Sequence, residues 1–155
     1  MLSSRIKNRI DSFQYYSIGY IKEYSLEFHK LSIDTSGKAN GFFTGDKKDL
    51  IWGVIGEIKD EDKVILDKIE GLGKGYNQET VRINLEDNTT LDANIYLADT
   101  KYIKDDLLPF NWYKEFVLRG AMENNLPNEY IENIKLMKSQ KDKNSERSKK
   151  NFDIV

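Results

Sequence analysis

Glu70 is the ionisable residue whose setting helix stability explains least. Ile65, Leu66 and Ile69 form an apolar stripe between Asp60, a candidate N-cap, and Gly71, a candidate terminator, which predicts a helix over residues 60–70. At its end the helix dipole disfavours an anion by roughly 0.3–1 kcal/mol, so a lysine would serve the helix better. Ile69 and Leu72 beside it are apolar, and the glycines after it carry no side chain to shield it. A partly desolvated carboxylate of this kind suits general-base chemistry, although an ordinary exposed glutamate also fits the position. His29, the sole histidine, stands in SLEFHKLS with no nucleophile elbow, second histidine or metal-spaced carboxylates nearby, so a structural role and no metal are expected. The GLGKG run at residues 71–75 has the glycine content of a phosphate cradle. It comes after a helix and leads into a strand, however, and lacks the spacing of a dinucleotide fingerprint, so no nucleotide cofactor is expected. With no cysteine, a thiolate nucleophile, a disulfide framework and a sulfur-ligated zinc are all excluded.

The chain that must position these residues has 155 residues, 39% hydrophobic and 32% charged, with a formal net charge of −2. That length supports one domain with a real core. The balanced charge argues against a nucleic-acid partner, because phosphate affinity needs clustered Lys and Arg. No apolar run reaches about 18 residues, and Arg5, Lys7 and Arg9 interrupt what would be the core of a secretory signal. A cytoplasmic protein without a membrane span is the expectation, either a small-molecule enzyme or a binding module.

The pattern predicts a short half-buried helix over residues 1–10, with Leu2, Ile6 and Ile10 on one face. Strands come next over residues 12–33, then a loop or irregular edge over 34–49, where Gly37, Gly41 and Gly45 lie among polar turn formers. IWGVIGEI (51–58) reads as a buried strand of a curved sheet, and alternation over residues 81–97 around a DNTT turn reads as a β-hairpin. Trp112, Tyr113, Phe116, Val117, Gly120 and Ala121 make one broad helical stripe, and Pro127 opens a further helix with Tyr130, Ile131 and Ile134 inward. Residues 138–155, with six basic and three acidic side chains, read as a charged flexible tail beyond a domain spanning 1–137.

Four segments together resemble the γ-glutamylcyclotransferase family. They are IWGVIGEI, LDKIEGLGKGYN (66–77), IYLADT (95–100) and LPFNWYKEFVLRGAMENNLPNEYI (108–131). The resemblance implies a compact α+β fold around a curved, barrel-like sheet, and conversion of a γ-glutamyl group to 5-oxoproline with release of an amine. It places Glu70 at the family's catalytic glutamate, and Tyr76, Tyr96 and Tyr113 at positions lining the pocket; the Gly37–Asn40 stretch is similar to a pocket-rim segment. In such a reaction the substrate's own amine attacks the γ-carbonyl, so a cofactor-free site without a Ser or Cys nucleophile suffices. The implied partner is a small γ-glutamyl molecule.

The family's Tyr-Gly-Ser-Asn turn, which supplies backbone donors to the substrate, does not occur in these 155 residues. Met1 to Arg5 correspond to the residues immediately after that turn, so an upstream strand is the expectation for an active enzyme. A sheet lacking that strand would expose an edge open to strand exchange between subunits. The other class of function is a noncatalytic relative that uses the remaining pocket to bind a small molecule or protein.

Overall fold

The computed structural model describes residues 3–154. Among these residues six strands and five α-helices run in the order α1 (Ser3–Lys7), β1 (Gln14–Lys22), β2 (Tyr24–Leu31), β3 (Gly37–Phe43), β4 (Leu50–Glu57), α2 (Asp60–Glu70), β5 (Tyr76–Leu85), β6 (Thr90–Ala98), α3 (Asn111–Glu123), α4 (Asn128–Leu136) and α5 (Ser145–Phe152). The β-branched and aromatic runs form strands as their alternation requires, and β5 pairs β6 in continuous antiparallel register from Tyr76 opposite Ala98 to Asn84 opposite Thr90.

One antiparallel sheet has the order β4-β1-β5-β6, and β2-β3 forms a separate hairpin. The hairpin lies with β2 against β4 and β3 against β6, the two edge strands of the larger sheet. It therefore closes the sheet into a barrel-like ring, the α+β architecture the sequence predicts. Across the β3/β6 seam the link is a side chain: buried Asn40 accepts the Ala98 N–H through Oδ1 at 2.7 Å. With its oxygen so engaged, the Asn40 amide donates to His29 Nε2 at 2.9 Å, which gives the lone histidine a structural partner.

Strand β3 occupies part of the stretch whose glycines suggest a loop. Its Gly37 is there for contact with the neighbouring strand, since a Cβ would come within 1.9 Å of the Phe28 carbonyl oxygen. On one side of the ring, α3 and α4 bring Ala121, Ile131 and Ile134 onto Ile18, Leu26 and Phe28 to form the core. Ile6 and Ile10 are buried as their spacing predicts, while Leu2 lies outside the described residues.

Two features depart from the hydrophobic pattern. The α2 stripe does not face inward: Ile65 and Ile69 are 48% and 42% exposed, and Leu66 alone of the three is half-buried. Polar ties set that face. Ser12 donates to Asp62 through both its N–H and its hydroxyl, and the same hydroxyl accepts the Lys59 N–H at the start of the helix. Asp60 is accordingly the first helical residue and Lys59 the N-cap. In the charged segment after residue 137, α5 forms with Asn144 as a side-chain cap. Its anchor is Asp142, whose side chain is wholly buried and accepts from Trp112 Nε1 at 2.9 Å and from Arg147 at 2.6 and 2.7 Å.

Candidate active site

Helix α2 stops at Glu70 because Gly71 takes the left-handed conformation, with φ of 74°, and its N–H bonds back to the last turn. The Glu70 side chain is 27% exposed, and Arg9 Nη1 lies 3.4 Å from its Oε1. This guanidinium supplies the positive charge that the helix dipole lacks at that end. Arg5, one turn earlier in sequence, stacks over the Phe116 ring at 4.6 Å and lies within the field of Glu70. The pair of arginines four residues apart is the signal by which the sequence could have disclosed these partners, since that spacing puts both on one helical face.

Two of the three sequence-predicted tyrosines converge on a single residue of β3. Tyr76 opens β5 and donates its hydroxyl to the Ala39 carbonyl at 2.8 Å. Tyr113, in the first turn of α3, accepts the Ala39 N–H at 3.2 Å, which leaves its own O–H free to donate. Ala39 lies within the Gly37–Asn40 stretch predicted to rim the pocket. Tyr96 does something different. From β6 its hydroxyl donates to Asp67 Oδ1 at 2.5 Å, one turn before Glu70 on the same helix. Lys63 also pairs with Asp67 and sits 5.5 Å from the Tyr96 ring centroid.

Burial, first, and the negative charge of Glu70, further down the order of causes, push the pKa of all three tyrosines upward. For Tyr96 the bond to Asp67 adds to the same direction, while for Tyr113 the Ala39 N–H, Arg5 and Arg9 oppose it. Each stays a protonated phenol at neutral pH. Lys30 of β2 completes the surroundings: its Nζ is 4.7 Å from the Tyr76 ring centroid and 5.9 Å from that of Tyr102. Burial pulls its pKa down against the attraction of Glu70. Sequence reasoning had no signal for Lys30, because nothing local distinguishes it from a solvated strand lysine.

Chemically, the arrangement holds a carboxylate that can take or give a proton, phenols that can donate hydrogen bonds, and cations that can attract an anion. Among the described residues no group of three or more His, Cys, Asp or Glu is placed to hold a metal ion. A separate open groove of about 590 Å³ lies at the other end of α2, lined by residues that include Asp11, Ser12, Glu57 and Asp62 but not Glu70.

Fold and site together define a small α+β barrel protein with a carboxylate-centred cluster. The chain belongs to the AIG2-like family, whose profile matches residues 50–134. It is 27% identical over 139 residues to the γ-glutamylcyclotransferase of Homo sapiens, covering 87% of this chain and 72% of that protein. The Bos taurus γ-glutamylcyclotransferase is 28% identical over 134 residues, covering 84% and 70%. A solved γ-glutamyl cyclotransferase superposes with a TM-score of 0.84 over 98% of this chain and 92% of its own, a likeness of fold at 23% identity. The family resemblance carried by the sequence motifs is thus borne out.

Proposed function

We propose that this protein is a γ-glutamylcyclotransferase: it turns the γ-glutamyl group of a small substrate into 5-oxoproline and releases the amine, with Glu70 carrying the protons. The observation that supports this most is the placement of Glu70, half-sheltered at a helix end, in contact with Arg9 and with Arg5, Lys30 and three phenols within its field.

The Glu70 carboxylate removes a proton from the substrate's α-ammonium group. The freed amine attacks the γ-carbonyl carbon and closes a five-membered ring, an intramolecular step whose advantage is the proximity of its ends. The carbonyl oxygen becomes an oxyanion. As it collapses, the protonated Glu70 returns its proton to the departing nitrogen and the old C–N bond breaks; the second proton left on the ring nitrogen then passes through the restored Glu70 carboxylate to the released amine, leaving 5-oxoproline and an ammonium product. Neither water nor a cofactor is consumed. Tyr113, whose O–H is not engaged with Ala39, is the phenol best placed to donate to substrate oxygen; Tyr76 holds the Ala39 strand segment in place, and Tyr96 steadies α2 through Asp67. Backbone donors from a Tyr-Gly-Ser-Asn turn would add oxyanion stabilisation, each worth roughly 3–4 kcal/mol.

Product identity tests the reaction. Incubation with γ-glutamyl amino acids and γ-glutamyl amines should give 5-oxoproline and free amine in equal amounts, with no glutamate. The assay includes a second form of the protein carrying an N-terminal strand that ends in Tyr-Gly-Ser-Asn. Glutamate as the product would mean hydrolysis instead. Binding without any turnover, in both forms, would favour the noncatalytic reading.

A further inference from the structure

Among the described residues, Arg9 contacts Glu70, and Arg5 and Lys30 lie within its field; these cations differ in whether a carboxylate already engages them. Arg9 is paired with Glu70 itself. Arg5 and Lys30 have no ion pair within 4 Å among the described residues; each rests on aromatic rings instead. Their depths differ. The Phe116 ring under Arg5 is 3% exposed, whereas Tyr102, which flanks Lys30, is 37% exposed. Arg5 is therefore the inner cation, beside Tyr113, and Lys30 the outer one. Gly75 lies against it: a Cβ there would come 2.9 Å from the Lys30 Nζ, although the φ of 143° at residue 75 by itself favours glycine and the lysine end could shift. Burial already lowers the Lys30 pKa, a cost that an incoming anion would offset.

A γ-glutamyl amino acid carries two carboxylates and one ammonium. The cluster presents the complement, two unpaired cations and one carboxylate. We propose that Lys30 receives the carboxylate of the departing amino acid and is the residue by which the site tells γ-glutamyl amino acids from γ-glutamyl derivatives of uncharged amines. This rests on the reading that Glu70 handles the glutamyl head. The head enters first, its α-carboxylate toward Arg5, and the leaving group stays outward between Tyr76 and Tyr102, where Lys30 makes a charge-assisted hydrogen bond to it.

The test compares γ-glutamyl-alanine with γ-glutamyl-ethylamide, which lacks only the leaving group's carboxylate and keeps the α-carboxylate. Calorimetric binding to the 155-residue chain should favour γ-glutamyl-alanine about tenfold or more. Lys30→Met should weaken γ-glutamyl-alanine about ten- to a hundredfold and leave the ethylamide within twofold, while Lys30→Arg restores most of the difference. Equal weakening of both ligands, or of neither, overturns the assignment, and so does failure of the unaltered chain to bind either. The function itself is read separately from 5-oxoproline release. Carboxylate-dependent binding through Lys30 with no 5-oxoproline from either form of the protein would sink the cyclotransferase reading and leave Lys30 as a carboxylate receptor.

Discussion

Glu70 ends a helix whose dipole opposes its charge, and the residues around it answer that opposition from a distance. Arg9 comes from 61 residues earlier and meets the carboxylate directly. The phenols are positioned just as indirectly: Tyr76 and Tyr113 are fixed by the backbone of Ala39, and Tyr96 by Asp67. Lys63 first, and then Tyr96, hold the Asp67 carboxyl below its ordinary range, so Asp67 remains an anion able to accept from the phenol. Tyr96→Phe removes that donor. Urea unfolding should show a loss of about 1 kcal/mol, the worth of one hydrogen bond to a partly exposed carboxylate. An unchanged midpoint would mean the hydroxyl does not steady α2.

Among the elements, α2 best separates what a sequence pattern decides from what it leaves open. Its limits were legible, because Asp60, Glu61 and Asp62 suit a first turn and Gly71 suits a terminator. Its orientation was not. Periodicity marks a stripe but cannot register that Tyr96, Ser12 and Arg9, 29 to 61 residues from their partners, bind Asp67, Asp62 and Glu70 while Ile65 and Ile69 stay exposed. The consequence is measurable: Ile65→Gln and Ile69→Gln should each change stability by less than about 0.5 kcal/mol in chemical denaturation, as substitutions on an exposed face do. A loss of about 2 kcal/mol or more from either would put the stripe back in the core. Strand β3 was hidden for a related reason, since Gly37 serves as readily in a turn as in a close strand contact, and the Phe28 carbonyl that demands it lies on the neighbouring strand. The hairpin of β5 and β6 needed no distant information; alternation and a polar turn carry it. At the site, the family motifs pointed to Glu70 and the tyrosines, Arg5 and Arg9 show in the sequence only as a pair four residues apart, and Lys30 becomes visible only once α2 and β2 share a region of space.

On the scale of the whole molecule, the ring of strands is closed by a hairpin and finished by a polar anchor. Phe110, Trp112 and Phe116 stack between α1 and α5, with Arg5 over Phe116 and Arg147 over Phe110. Asp142 holds this assembly, and Arg147, then Trp112 and the Asn144 N–H, draw its carboxyl far below the ordinary range. A depressed carboxyl pKa stabilises the fold at every pH above the ordinary value near 4, and that contribution drains away as the pH falls below it. Asp142→Asn should therefore lower stability at pH 7 by about 1–3 kcal/mol, and the gap to the unaltered protein should narrow below about pH 4. Thermal melts across pH check both; equal stability at pH 7 would show the anchor to be dispensable. The proposed function returns to one proton carrier held by this scaffold. The most direct measurement is the rate of 5-oxoproline release from a γ-glutamyl amino acid by the protein and by its Glu70→Gln variant, with unfolding curves recorded for both. A fall of about 10²–10⁴-fold at unchanged stability is the expected result. A Glu70→Gln protein that releases 5-oxoproline within about threefold of the unaltered rate would contradict the assignment of Glu70 as that carrier.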